Sequence, residues 1–321
     1  MTFVTSAFVR MLKLLGVVLI VSFLTFMLTK LLPGSPVNLI LGSEAGNPVA
    51  RAALEDRLGL NEPIWRQYLD YLYGVFVEHD LGYSYLQEIP TTTYLSQRLP
   101  ATIELMILAQ FLSITIAVPT ALYSAYKANS AADKLITTSS FGLISVPAFA
   151  LAPFLVFLFA IQLAWVPSGG YARITEEGLV ENLRSIALPL LVLCTGLTAV
   201  YTRLLRSDLI ATLQEDFVLM ARSKGLTTRH ILFRHALRPS SFSLLTVFSL
   251  NFGTLIGGSI IVEVFFAIPG VGSLLIDQIF KREYLVVQGI VLVIATFFVV
   301  INFITDLLYA VLDPRVRRAG I

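Results

Sequence analysis

Apolar residues gather in six long runs along the chain: Leu14 to Leu32, Ile103 to Tyr126, Leu135 to Leu163, Ile186 to Leu205, Phe242 to Ile268 and Val286 to Leu312. A hydrocarbon core of about 30 Å is crossed by about 20 helical residues, so each run is long enough to span a bilayer. The pattern predicts an all-α integral membrane protein of about six transmembrane helices, one transmembrane domain over residues 1–321. No solenoid-type repeat or low-complexity tract interrupts it.

Between the runs the pattern changes to amphipathic periodicity. In the polar segment 33–100, Asn47 is placed to cap a helix beginning at Pro48, with Gly59 ending it near Leu58. A second helix is predicted from Glu62 to about Val77, with Ile64, Tyr68, Leu72 and Val75 on one face. It suits either a membrane-hugging helix or a small outer platform that meets a partner. The other long connection, 203–240, reads as two short helices joined at a glycine. Phe217, Met220 and Ala221 fall at i, i+3 and i+4 as one apolar face, while Glu215, Asp216, Arg222 and Ser223 stay polar. Gly225 supplies the left-handed residue that stops the first helix. Thr228 is placed to cap the next, which carries Ile231, Leu232 and Ala236 and closes at Pro239. Such a loop serves either as a docking element for a cytoplasmic protein or as a basic, membrane-surface helix.

Composition agrees with the runs: 56% of residues are apolar and 14% charged, against about 25% charged in soluble domains. The net charge of +2 constrains little, but its distribution orients the chain. Arg10, Lys13, Lys127, Lys134, Arg203, Arg206, Arg222, Lys224, Arg229, Arg234, Arg238, Arg315, Arg317 and Arg318 fall on one side of the predicted spans, which makes that side cytoplasmic. The acid-rich segment 33–100 then lies outside and both termini inside. Arg10 and Lys13 before the first run imitate a signal peptide, but the run is long enough to span and no A-x-A-like site follows it, so it is expected to remain as a span. A single cysteine, Cys194, inside an apolar run excludes a disulfide framework or a cysteine-based metal site within the chain.

Chemistry is sparse. The phosphate loop G-x-x-x-x-G-K-[ST] is missing, as are H-E-x-x-H and G-x-S-x-G, so no catalytic, cofactor or metal constellation is predicted and any ATP must be handled by a separate subunit. His230 and His235, beside arginines, read as polar loop residues. Ionisable groups within spans are costly, and three call for explanation. Glu104 lies near the outer end of the second span within reach of water. Asp306 nears the inner surface, where Arg315 or Arg317 suits it as a partner. Glu263 precedes the Pro/Gly-broken stretch FFAIPGVG and reads as a structural ion pair or a pathway group. Gly253, Gly257 and Gly258 give small-residue spacing for helix packing, within this subunit or against a partner. Scattered acids without a relay or selectivity ring give a secondary transporter or channel little support.

ARSKGL followed by RHILFRHALRP resembles the cytoplasmic coupling motif, the EAA loop, of ABC-importer permeases in its dipeptide, oligopeptide and nickel permease form. LPGSPV, LGLNEPIWRQYLDYL, DLGYSY, QRLPATIEL, SVPAFALAPFLVFLF, WVPSGGY, FAIPGVGSLLIDQIFKREYLVVQG and DLLYAVLDPRVR resemble that family's segments in order. The resemblance implies a type I ABC-importer permease fold of the first-permease type in a bacterial plasma membrane. It implies a second homologous permease, two ABC ATPase subunits and an extracytoplasmic solute-binding protein as partners, with no nucleic acid. The implied coupling residues are Phe217, Met220, Ala221, Lys224, Gly225 and Leu226. The motif's leading acid and first alanine would fall on Leu219 and Met220, a departure from the general pattern. Peptides are the expected cargo, with nickel complexes or glycosides as the family's other substrates.

Overall fold

The computed structural model describes residues 3–31, 36–42, 46–57 and 59–312. Helices dominate these residues: α1 (Phe3–Leu31), α2 (Pro36–Leu41), α3 (Pro48–Arg57), α4 (Ile64–Tyr73), α5 (Thr91–Tyr126), α6 (Ala131–Ser145), α7 (Ala148–Leu155), α8 (Ile174–Thr212), α9 (Asp216–Ser223), α10 (Thr228–His230), α11 (Leu237–Phe265), α12 (Val271–Phe280) and α13 (Tyr284–Leu312). Wider π turns extend α4 over Gly74–Glu78 and α7 over Val156–Gln162, and join α10 to α11 over Ile231–Ala236. The described residues hold no strand, only an isolated bridge between Tyr83 and Pro90.

Four described helices are long and apolar enough to cross a membrane: Thr91–Tyr126, Ile174–Thr212, Thr228–Phe265 and Tyr284–Ile304. The first predicted span appears as the shorter apolar stretch Leu14–Leu28 of α1. The third is not one straight helix, because α6 and α7 meet at 102°. Val146 is extended (φ −87, ψ 115) and Pro147 follows it. A proline cannot donate to the helical ladder and disfavours α geometry in the residue before it, so the run bends where a pure hydropathy reading sees continuity.

The chain divides into two compact units, Met1–Pro100 with Leu274–Ile321 and Ala101–Ser273. In the first, α4 is anchored on α1. Tyr68 donates to the Leu19 carbonyl at 3.1 Å and shares a 2.8 Å hydrogen bond with the Ser22 hydroxyl. The Phe23 ring meets the Tyr68 ring edge-on at 5.2 Å. Val18, Val75, Leu292 and Val299 form an apolar cluster behind it. Of the face predicted for α4, Tyr68, Leu72 and Val75 turn inward but Ile64 is exposed, and Tyr71 takes part in its place. Asn47 caps α3 as predicted, its side-chain oxygen accepting from Val49 at 3.0 Å. Nearby, the buried carboxylate of Glu283 accepts from the Ser84 hydroxyl (2.8 Å) and from the amides of Tyr85 (3.1 Å) and Leu86 (2.8 Å). Burial first, then the Glu283 charge, pushes the Tyr85 phenol up to about 12.

In the second unit α8 is the most enclosed helix, with Ile186, Leu188, Tyr201, Leu205 and Leu209 almost fully buried. Polar ties set its neighbours. The Tyr201 hydroxyl donates to Gln110 of α5 at 2.6 Å, and the Gln110 amide donates to the Phe248 carbonyl of α11 at 3.1 Å. Arg206 holds Asp133 of α6 bidentately, Nε at 2.6 Å and Nη2 at 2.7 Å, with the Ser124 hydroxyl also donating to the carboxylate. Paired and hydrogen-bonded in this way, a buried carboxylate becomes tolerable.

Candidate functional site

The loop after α8 begins with Glu215 in extended geometry and continues as α9. Gly225 has φ +79, a left-handed conformation that side chains rarely adopt. Its amide donates to Arg222 at 2.9 Å, and the Leu226 amide reaches back to the Ala221 carbonyl at 3.3 Å. These paired bonds form a Schellman stop, which satisfies the last carbonyls of α9 and turns the chain sharply. The next cap is one residue earlier than predicted: Thr227, not Thr228, accepts from the His230 amide at 3.4 Å, because Thr227 is extended and Thr228 already helical.

The predicted apolar face of α9 is split. Ala221 turns inward with Val218 and Ile231 to form a small core, with half-buried Leu213 against it. Phe217 and Met220 instead point outward, 43% and 57% exposed, so they do not share a buried face with Ala221. Lys224 and Leu226 are exposed as well. Phe217 and Met220, at i and i+3, lie exposed on a helix held from behind, and the exposed Lys224 caps its end. Val218, which with Ile231 holds the loop together, is absent from the predicted apolar face, and Ile231 was expected only as part of the following helix. The signal for Val218 was the i, i+3 pair Val218 and Ala221, hidden because every residue from Phe217 to Ala221 is apolar. His230 and His235 stack loosely, ring centres 5.6 Å apart. Among the described residues no group of three or more His, Cys, Asp or Glu side chains is placed to hold a metal.

The structure places Glu263 elsewhere, at the reversal between α11 and α12. It is fully buried and makes no ion pair among the described residues, so the predicted pairing with a cation gives way to hydrogen bonding. Its carboxylate accepts from the Thr102 hydroxyl at 2.8 Å and from the Ser273 amide at 2.9 Å, while Thr102 accepts from the Val271 amide at 2.8 Å. A Cβ at Gly270 would run into that carboxylate, so a side chain here displaces Glu263. Glu104 is half-buried. One carboxylate oxygen accepts from the Tyr171 hydroxyl and the other is enclosed, with no hydrogen-bond partner among the described residues. Burial, followed by the Glu104 hydrogen bond, raises the Tyr171 phenol above its ordinary range. Gly253 is half-buried, and a Cβ on Gly257 or Gly258 would meet nothing within 4 Å, so the latter two do not mediate close packing among the described residues. The side chain of Asp306 and the residues Arg315 and Arg317 lie outside the described residues.

Several long apolar helices, one of them broken, define the class: a multi-pass helical membrane protein, here with an exposed helix on a self-contained loop. The chain belongs to the binding-protein-dependent transport system inner membrane component family, whose model matches residues 117–318, while the family's N-terminal model matches residues 3–106. It is 38% identical over 308 residues to a putative peptide transport system permease protein of Brucella abortus (strain 2308), covering 96% of this chain and 97% of that one. It is 35% identical over 316 residues to the di/tripeptide transport system permease protein DppB of Pseudomonas aeruginosa (strain UCBPP-PA14), covering 92% and 94%. With the oligopeptide transport system permease protein AppB of Bacillus subtilis (strain 168) it shares 34% over 310 residues, covering 96% and 98%.

Proposed function

We propose that the chain is the permease subunit of an ABC importer that carries peptides across a bacterial plasma membrane, with both termini and the loop 203–240 cytoplasmic and the segment 33–100 outside. Near full-length similarity to proteins named as peptide permeases carries this reading. In it, a second homologous permease completes the pathway, a solute-binding protein delivers cargo, and two ATPase subunits supply the energy. The exposed residues Phe217, Met220 and Lys224 dock into an ATPase, while Ala221, Gly225 and Leu226 keep α9 rigid so that ATPase closure moves the spans as a body. Gly257 and Gly258, where an added Cβ would meet nothing within 4 Å among the described residues, face the second permease.

The test is purification of the tagged protein from its own cells in mild detergent, comparing wild type with Gly225→Pro. Proline fixes φ near −65° and removes the amide that donates to Arg222, so the stop on α9 is lost. Wild type should bring down ABC ATPases and a second permease, and the variant should lose the ATPases. Isolation of this chain alone, with solute flux indifferent to ATP, would overturn the proposal in favour of a channel or secondary transporter.

A further inference from the structure

A cavity of about 510 Å³ opens in the second unit between the last turns of α5 and the segment that leads into α11. Val118 and Leu122 line one side, Leu232, Phe233 and Leu237 the other, and Arg229 is the charged residue among its walls. Its size lies within the range of about 300–1,000 Å³ typical of small-molecule sites, but its lining is almost wholly apolar.

The placement says what fits. From Val118 to Tyr126 the α5 wall rises about 12 Å along the helix, so under the orientation proposed above the cavity runs from the cytoplasmic surface well into the hydrocarbon layer. A soluble subunit does not reach that depth; an acyl chain does. At the surface end, Lys127 holds its ammonium 5.5 Å from the Tyr126 ring centre, and Tyr123 and Tyr126 contribute the amphipathic rings typical of the headgroup level. A guanidinium binds phosphate in a bidentate fork, and basic pockets between spans on this side of a membrane suit anionic headgroups.

We propose that this cleft holds one anionic phospholipid of the cytoplasmic leaflet, an acyl chain between Leu122 and Leu232 and its phosphate on Arg229 and Lys127. The far wall belongs to the turn Ile231–Ala236, which joins the coupling loop to α11. The bound lipid therefore braces that turn against α5, and ATP turnover by the assembled transporter depends on anionic lipid.

The intact transporter, purified with its partners, is placed in nanodiscs of pure phosphatidylcholine or of equal parts phosphatidylcholine and phosphatidylglycerol. Native mass spectrometry should find phosphatidylglycerol retained by wild type and depleted several-fold in Arg229→Glu and in Leu122→Trp, which fills the cleft without altering charge. The stimulation of ATPase rate by phosphatidylglycerol should fall in parallel, and Arg229→Lys should restore it. Equal retention and stimulation in wild type, Arg229→Glu and Leu122→Trp would overturn the proposal. So would a photo-crosslinker at position 233 that captures an ATPase subunit and no lipid. If no ATPase accompanies even the wild type, the coupling reading fails, yet lipid retention by this chain still decides the cleft.

Discussion

Ala221 and Met220 are neighbours in sequence, and the physical demands on them are opposite. Ala221 is small because Ile231 lies against it in the loop's core, whereas Met220 projects into solvent. Ala221→Leu should therefore overpack that core at a cost of about 1–3 kcal/mol, visible as faster proteolysis between residues 213 and 231. Phe217→Ala combined with Met220→Ala should leave the proteolysis pattern and melting temperature at wild-type values while weakening ATPase retention. A parallel loss of stability in that double variant would show the pair to be structural. Glu263 and Gly270 supply a coupled case. Gly270→Ala alone forces a methyl onto the Glu263 carboxylate, and Glu263→Ala alone leaves the Ser273 amide and the Thr102 hydroxyl short of an acceptor, each such loss costing about 1–3 kcal/mol. Because removing the carboxylate makes room for the methyl, the double variant should melt no lower than Glu263→Ala. Additive losses would show that the collision is relieved by some other shift.

At the scale of elements, α5, α6 and α8 of the second unit are tied by one buried carboxylate. Arg206→Ala leaves Asp133, 3% exposed, charged and without its cation, and should destabilise the protein by about 3–5 kcal/mol. Asp133→Asn should cost clearly less, since the Arg206 side chain is 23% exposed and still reaches water. Thermal unfolding of the purified protein in detergent ranks the two, and the reverse order would sink the argument. In the first unit, Glu283→Ala removes the acceptor of three donors from Ser84 to Leu86 and should speed amide exchange at Tyr85 and Leu86 without altering exchange in α8. The 102° break between α6 and α7 is likewise set between neighbouring elements. It was written in the sequence as Val146-Pro147 in the middle of an apolar run, and a reading by hydropathy alone passes over it because lipid compatibility and helical continuity are separate properties.

For the whole molecule, a membrane permease with no phosphate loop of its own, the proposed cargo can be tested directly. Proteoliposomes that hold the co-purified assembly should take up a labelled dipeptide only with ATP inside the ATPase-bearing compartment, and unlabelled di- and tripeptides should compete. Competition by nickel complexes or glycosides, with none from peptides, would move the chain to another branch of the same family. Much of this scale was legible from the residues: the apolar runs, the acid-rich segment 33–100, the glycine-stopped helix α9 and the ordered family segments all lie in contiguous sequence.

What the sequence determines by itself is whatever follows from local periodicity and from the cost of polar groups in lipid: a helical membrane protein, the approximate place of its spans, the loop that carries Gly225, and the absence of hydrolase and phosphate-loop motifs. Only the tertiary structure decides which side of α9 faces its own core, that Glu263 is satisfied by hydroxyl and amide donors instead of a cation, that Glu104 meets Tyr171, and that Asp133 waits on Arg206 across 73 positions of chain. Each of those outcomes depends on a partner distant in sequence. A buried polar group must be satisfied by some partner, but nothing in its own neighbourhood says which.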